Sequence, residues 1–181
     1  MINIILAAGI FSCCISCNAG KAVKTETSSR DTTLLSRIDN PVIKAGMPVV
    51  LTFPFSQNST DIFDSNSKTW LLFDDPQVIE SPDGVYDIYI TGQPPEINNL
   101  TATNPAFVNV LDLYSINAPG AKQIIEVNIR AHTKNIFLQK QLVQNVYVTL
   151  VFSGNQLADG SRSKKAGELR FSGVRIVQTK E

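Results

Sequence analysis

The chain has 181 residues, 43% of them hydrophobic and 18% charged, enough to bury one substantial core. Lysine plus arginine equals aspartate plus glutamate at 16 each, so no net field favours nucleic acid or an anionic membrane surface. A single histidine and three cysteines leave little room for metal or thiol chemistry.

Residues 2–15 form an apolar run broken by Asn3, Gly9, Ser12 and two cysteines. The run falls short of the roughly 20 residues that span a bilayer and fits the apolar region of a secretory signal. Cys13, Cys14 and Cys17 all lie in or just after it. A small residue followed by cysteine after such a run is the pattern of a bacterial lipoprotein signal. The frames Ser12-Cys13 and Ser16-Cys17 compete, and Cys17 is favoured because polar sequence starts at Asn18. The expected organisation is therefore a signal at 1–17 with Cys17 lipidated, a polar tether at 18–40, and a folded domain at 41–181 held at the bacterial cell envelope by its lipid. The Cys14-x-x-Cys17 spacing of a redox or metal pair is set aside, since a signal peptide is discarded. Within the tether, Leu34, Leu35 and Ile38 are the only sizeable apolar side chains, a piece that starts the domain or docks onto it.

From Met47 the chain reads as strands. Met47, Val49, Leu51, Phe53 and Phe55 alternate with Pro48, Val50, Thr52, Pro54 and Ser56, and the two prolines predict an edge or bulged strand. Further segments follow at 69–73 with the only tryptophan, Trp70, then at 77–80, 85–91, 107–111, 124–131, 146–152 and 169–178. In the last, the apolar phase slips at Ser172-Gly173, which predicts a bulge. Residues 134–144 carry the one expected helix. The sum is an all-β domain, an antiparallel β-sandwich or jelly-roll-like fold of about seven or eight strands with one short helix.

Catalytic constellations are hard to build from these residues. His132, the only histidine, is expected between a strand and the helix, partly exposed. It cannot assemble the usual zinc site of about three protein ligands. No Gly-x-Ser-x-Gly elbow and no phosphate-cradling glycine loop is present, so no catalytic, cofactor or metal residue is assigned. Asp61, Asp64, Asn66, Asp74, Asp75 and Asp83 offer oxygen ligands for a hard cation, but read better as turn formers. Trp70, Tyr86, Tyr89 and Tyr114 offer a stacking surface for a sugar or phenol, or serve as cross-strand packing. The basic run Arg162-Ser163-Lys164-Lys165 reads as a solvated hairpin loop.

Four segments fall in a recognisable order: Val85-Tyr86-Asp87-Ile88, Phe107-Val108-Asn109-Val110, Val146-Tyr147-Val148-Thr149-Leu150-Val151 and Gly173-Val174-Arg175-Ile176. Together they resemble the C-terminal, KFDV-type domain of tyrosinases and polyphenol oxidases, without the catalytic domain. Tyr86-Asp87-Ile88 matches the family's Phe-Asp-Val, with Val85 in place of its lysine. The resemblance spans residues 45–177 and is closest from Gly84 onward. It implies a non-catalytic β-rich cover that packs over a copper-site entrance and keeps a proenzyme latent. A type-3 copper site needs six histidines, so the resemblance implies either a cap acting in trans on a separately encoded copper oxidase catalytic domain, or a fragment or orphaned domain. The family's plugging loop has no counterpart here. The competing reading is a surface-lipoprotein binding module for glycan or protein, with the loops at 57–68 and 93–105 as its binding edge.

Overall fold

The computed structural model describes residues 32–44, 47–55, 67–111, 113, 123–138 and 144–180. In chain order they form β1 (Thr32–Asp39), β2 (Val42–Lys44), β3 (Val49–Pro54), β4 (Ser67–Asp74), β5 (Gln77–Glu80), β6 (Gly84–Thr91) and β7 (Phe107–Leu111). Then come β8 (Ile124–Asn128), α1 (Arg130–Leu138), β9 (Asn145–Gly154), β10 (Glu168–Arg170) and β11 (Gly173–Lys180). The strand pairings are antiparallel, and the fold is the all-β sandwich that the alternating sequence predicts.

The strands make three sheets: a first sheet β1-β11-β4-β8, a short sheet β2-β10-β5, and a facing sheet β3-β9-β6-β7. The first and short sheets are one layer folded at a corner. Each strand of the short sheet continues or precedes a strand of the first: β1 runs into β2, β4 into β5, and β10 into β11. Two of these breaks carry a left-handed residue before a proline, Asn40 (φ 49°) before Pro41 and Asp75 (φ 46°) before Pro76. Short polar side chains tolerate that conformation best, at some cost in strain. Backbone bonds stitch the corner together, from Asn40 N to Ser172 O at 3.2 Å and from Ser172 N to Asp74 O at 2.9 Å. The phase slip at Ser172-Gly173 is therefore not a bulge. The chain leaves one sheet for another there, which reverses the inward side in the same way.

One buried cluster joins all three sheets. It takes Leu71, Phe73, Val127, Val174 and Ile176 from the first sheet and Ile43 and Leu169 from the short one. Leu51, Phe53, Tyr86, Ile88, Ile90, Val146, Val148 and Leu150 come from the facing sheet. Each fully buried aliphatic or aromatic side chain contributes about 1.5–3 kcal/mol, so packing is the main source of stability.

Several boundaries move. The last part of the expected tether is β1, paired with β11 from Thr32↔Thr179 to Asp39↔Gly173. Its Ser36 is buried, and Leu35 and Ile38 pack against the core, which is enough to dock an otherwise polar strand. The described residues carry eleven strands, more than the seven or eight expected, because the corner divides long strands and β1 adds another. β3 is an edge strand as its prolines predict, although its alternation starts at Val49 and Met47 is exposed. The segment expected as a strand over 124–131 ends at Asn128, whose Oδ1 accepts the Arg130 N–H at 3.1 Å. That local cap starts the helix at Arg130, four residues before the expected position. Residues 139–143 of the expected helix lie outside the described residues.

Helix α1 crosses one end of the sandwich. Ile129 N–H donates to Thr69 O at 2.9 Å on β4, and Ile136 abuts Gly92 at the end of β6.

Candidate functional site

Asp87 is the only charged residue on the four strands of the facing sheet. It sits on β6 between β9 and β7, opposite Val151 on one side and Val110 on the other. Its neighbours on the outward face of β6 are Val85 and Tyr89, because alternate residues of a strand share a face. The outward face of an antiparallel sheet is ordinarily polar. Here the central strands β6 and β9 are apolar on both sides, which is the pattern of a sheet covered twice.

Local geometry makes this face distinctive. Burial pushes the Asp87 carboxyl above the usual carboxylate range, with the Arg162 guanidinium acting in the opposite direction. Arg162 reaches the face from the 155–167 hairpin, its Nη1 donating to Ser153 Oγ at 3.1 Å and Gly154 O at 3.3 Å. Tyr89 is 1% exposed and packs edge-on against Phe107, ring centroids 5.7 Å apart. Burial raises its phenol pKa, and the Asp87 carboxylate adds to the rise. Directly across from Tyr89 on β9 is Thr149, equally buried, whose hydroxyl has no hydrogen-bond partner. An orphaned buried hydroxyl costs about 1–3 kcal/mol, a desolvation cost borne at the centre of this sheet.

The other expected residues fall elsewhere. Cys13, Cys14 and the lipidation candidate Cys17 lie outside the described residues, as do Asp61, Asp64, Asn66, Tyr114 and most of the 57–68 loop. His132 is within α1, not before it, and its Nε2 donates to Phe107 O at 2.8 Å, fastening helix to β7. The oxygen-ligand candidates are dispersed. Asp74 is held by Arg175, Asp75 accepts from Ser172 Oγ at 3.1 Å, and Asp83 accepts from Asn155 Nδ2 at 3.0 Å. Among the described residues no three histidine, cysteine or acidic side chains gather as a cation site. Tyr86 points inward, its hydroxyl donating to Ala166 O, while Tyr89 points outward, so they share no stacking surface. Lys164 and Lys165 are exposed in the hairpin as expected, whereas Arg162 is tied back to β9.

The 93–105 loop holds a single 3-10 turn, Ile97–Asn99, and folds on itself through Asn104 Nδ2 to Asn99 O at 2.8 Å. Sequence reasoning took Asp87 as a motif residue and missed its isolation. The missing charges along β3, β6, β7 and β9 were the available signal.

No family model and no curated protein matches this chain. Among solved structures, its fold is similar to part of a latent aurone synthase (polyphenol oxidase) from natural source, with TM-score 0.45 and 11% identity over 76% of this chain. A recombinantly expressed latent aurone synthase (polyphenol oxidase) gives TM-score 0.45 and 11% identity over 82% of this chain. The chain spans about a quarter of the length of these proteins, covering 25% of the first and 26% of the second.

Proposed function

We propose that this chain is a non-catalytic, lipid-anchored domain that caps a separately encoded type-3 copper oxidase, docking through the part of the facing sheet's outward face around Asp87, where Val85, Val110 and Val151 stay partly exposed. The observation that carries this reading is the near-absence of charge on that face, with Asp87 its one desolvated carboxylate. A largely apolar face whose one acid is only partly balanced by Arg162 suits a partner that brings matching apolar surface and a further cation for Asp87. The ordered strand segments around Tyr86-Asp87-Ile88 support that choice of partner through their resemblance to the C-terminal domain of tyrosinases and polyphenol oxidases. Anchoring through Cys17 would hold the domain at the envelope, near a partner secreted into the same compartment.

The test is a titration of the full chain into a histidine-rich tyrosinase catalytic domain that lacks its own C-terminal domain, following phenol oxidation. A saturable fall in rate, relieved by Asp87→Lys, is the expected result. An unchanged rate together with no co-purification overturns the capping role. Anchoring is tested separately by membrane fractionation, where Cys17→Ala should release the protein and Cys13→Ala should not.

A further inference from the structure

We propose a second binding site, for a neutral polysaccharide, on the outward face of the first sheet around Trp70. It lies on the layer opposite the facing sheet and does not depend on the capping role.

Trp70 is the only tryptophan of the chain and occupies β4, an interior strand. Its cross-strand partners are Val177 on β11 and Asn128 on β8, which places its side chain on the outward face, since the inward row holds Thr69, Leu71 and Phe73. The indole Nε1 donates to Thr179 Oγ1 at 3.2 Å, which tethers the ring across β11. Val177 beside it is only 2% exposed although it faces outward, while the indole itself stays half-buried. A ring already fixed in one rotamer gives up little conformational freedom when a ligand stacks on it.

The hydrogen-bonding groups sit next to the ring. Asn128 lies directly opposite Trp70 and Glu126 opposite Leu72, both exposed on the edge strand β8. Asn128 Oδ1 is used by the Arg130 N–H, which leaves the amide NH₂ as a donor. Glu126 supplies an acceptor two residues away on the same face. A donor amide and an acceptor carboxylate beside a fixed aromatic ring complement a pyranose, which presents an apolar C–H face and vicinal hydroxyls.

Charge selects the class of sugar. Arg175 and Arg37 on this face are paired with Asp74 and Asp39, and Lys68 is already engaged, so the Glu126 carboxylate disfavours an anionic glycan. Among the described residues β8 is the edge of this sheet, which lets a long chain run past the site.

Because Trp70 is the sole indole, its fluorescence in the full-length protein reports the site directly. The titrants are soluble β-glucan, xylan and galactomannan, with polygalacturonate as the anionic control. A saturable emission change with at least one neutral polymer is expected, weakened about tenfold or more in Glu126→Ala, the loss of one charged hydrogen bond. The urea midpoint of that exposed variant should stay unchanged. No saturable change with any neutral polymer, a response to polygalacturonate alone, or wild-type affinity in Glu126→Ala overturns the assignment.

Discussion

Arg175 grips Asp74 through two nitrogens, Nε at 2.9 Å from Oδ2 and Nη2 at 3.0 Å from Oδ1. The pair sits where the layer folds from the first sheet into the short one. Asp74 is the last residue of β4, and its carbonyl also receives the Ser172 N–H. The ion pair and the backbone bond thus lock β4 to β11 at the corner.

Both partners are largely shielded, with side-chain exposures of 27% and 13%. Removing one strands the other in a poorly solvated site. Arg175→Ala should lower stability by about 2 kcal/mol, and Arg175→Lys should recover only part, since lysine cannot reproduce the fork. The double variant with Asp74→Ala should cost less than the sum of the singles. Urea unfolding midpoints decide the matter, and strict additivity would show the pair to be inert.

Asp87 gives a pH signature. Its folded pKa is raised by burial above the value in the unfolded chain. Between those two values the folded state binds more protons, so stability falls as pH rises through that window. At neutral pH the charged carboxylate therefore destabilises the free domain. Asp87→Asn should raise the urea midpoint at pH 7, and the gain should vanish as pH drops below the ordinary aspartate range of about 3.9. Parallel urea curves at both pH values check the sign. The same variant should weaken capping, because the cation offered by the partner loses its counter-charge.

Thr149 offers a cleaner test of packing against polarity. Its hydroxyl is buried and unpartnered, so Thr149→Val keeps the shape and removes the orphaned group. The substitution should be neutral or stabilise by up to about 1 kcal/mol, read as a rise in thermal midpoint. A loss of stability would mean that the hydroxyl has a partner in solution.

Much of the architecture was legible because β-strands write their burial as a period of two. Leu51, Phe53 and Phe55 announced an inward face, and Pro48 and Pro54 announced an edge. β1 hid in the tether since an edge strand with a solvent-facing side needs few apolar residues, and Leu35, Ser36 and Ile38 suffice. The corner was misread as a bulge because each reverses side-chain phase, and only the long-range pairs β2-β10 and β1-β11 tell them apart. Asn128 could have given the helix start, as a capping residue two positions before Arg130. The outward positions of Trp70 and Asp87 were beyond local pattern, since β4 and β6 are apolar on both faces and which face is outward depends on the layers they join.

The pairing of Thr32 with Thr179 has a mechanical consequence. β1 is an edge strand, and its first residue lies beside the penultimate residue of β11. A pull applied at Thr32 and resisted at Thr179 loads the ladder one rung at a time, as a zipper is opened, and the rungs do not share the force. Tension on this seam would peel β1 away at low force and uncover the Leu35 and Ile38 side of the core. The corner locked by Arg175 and Asp74 lies at the far end of that ladder, where Asp39 meets Gly173 and Gly173 meets Asp74. Peeling should stall there, with the rest of the sandwich still folded.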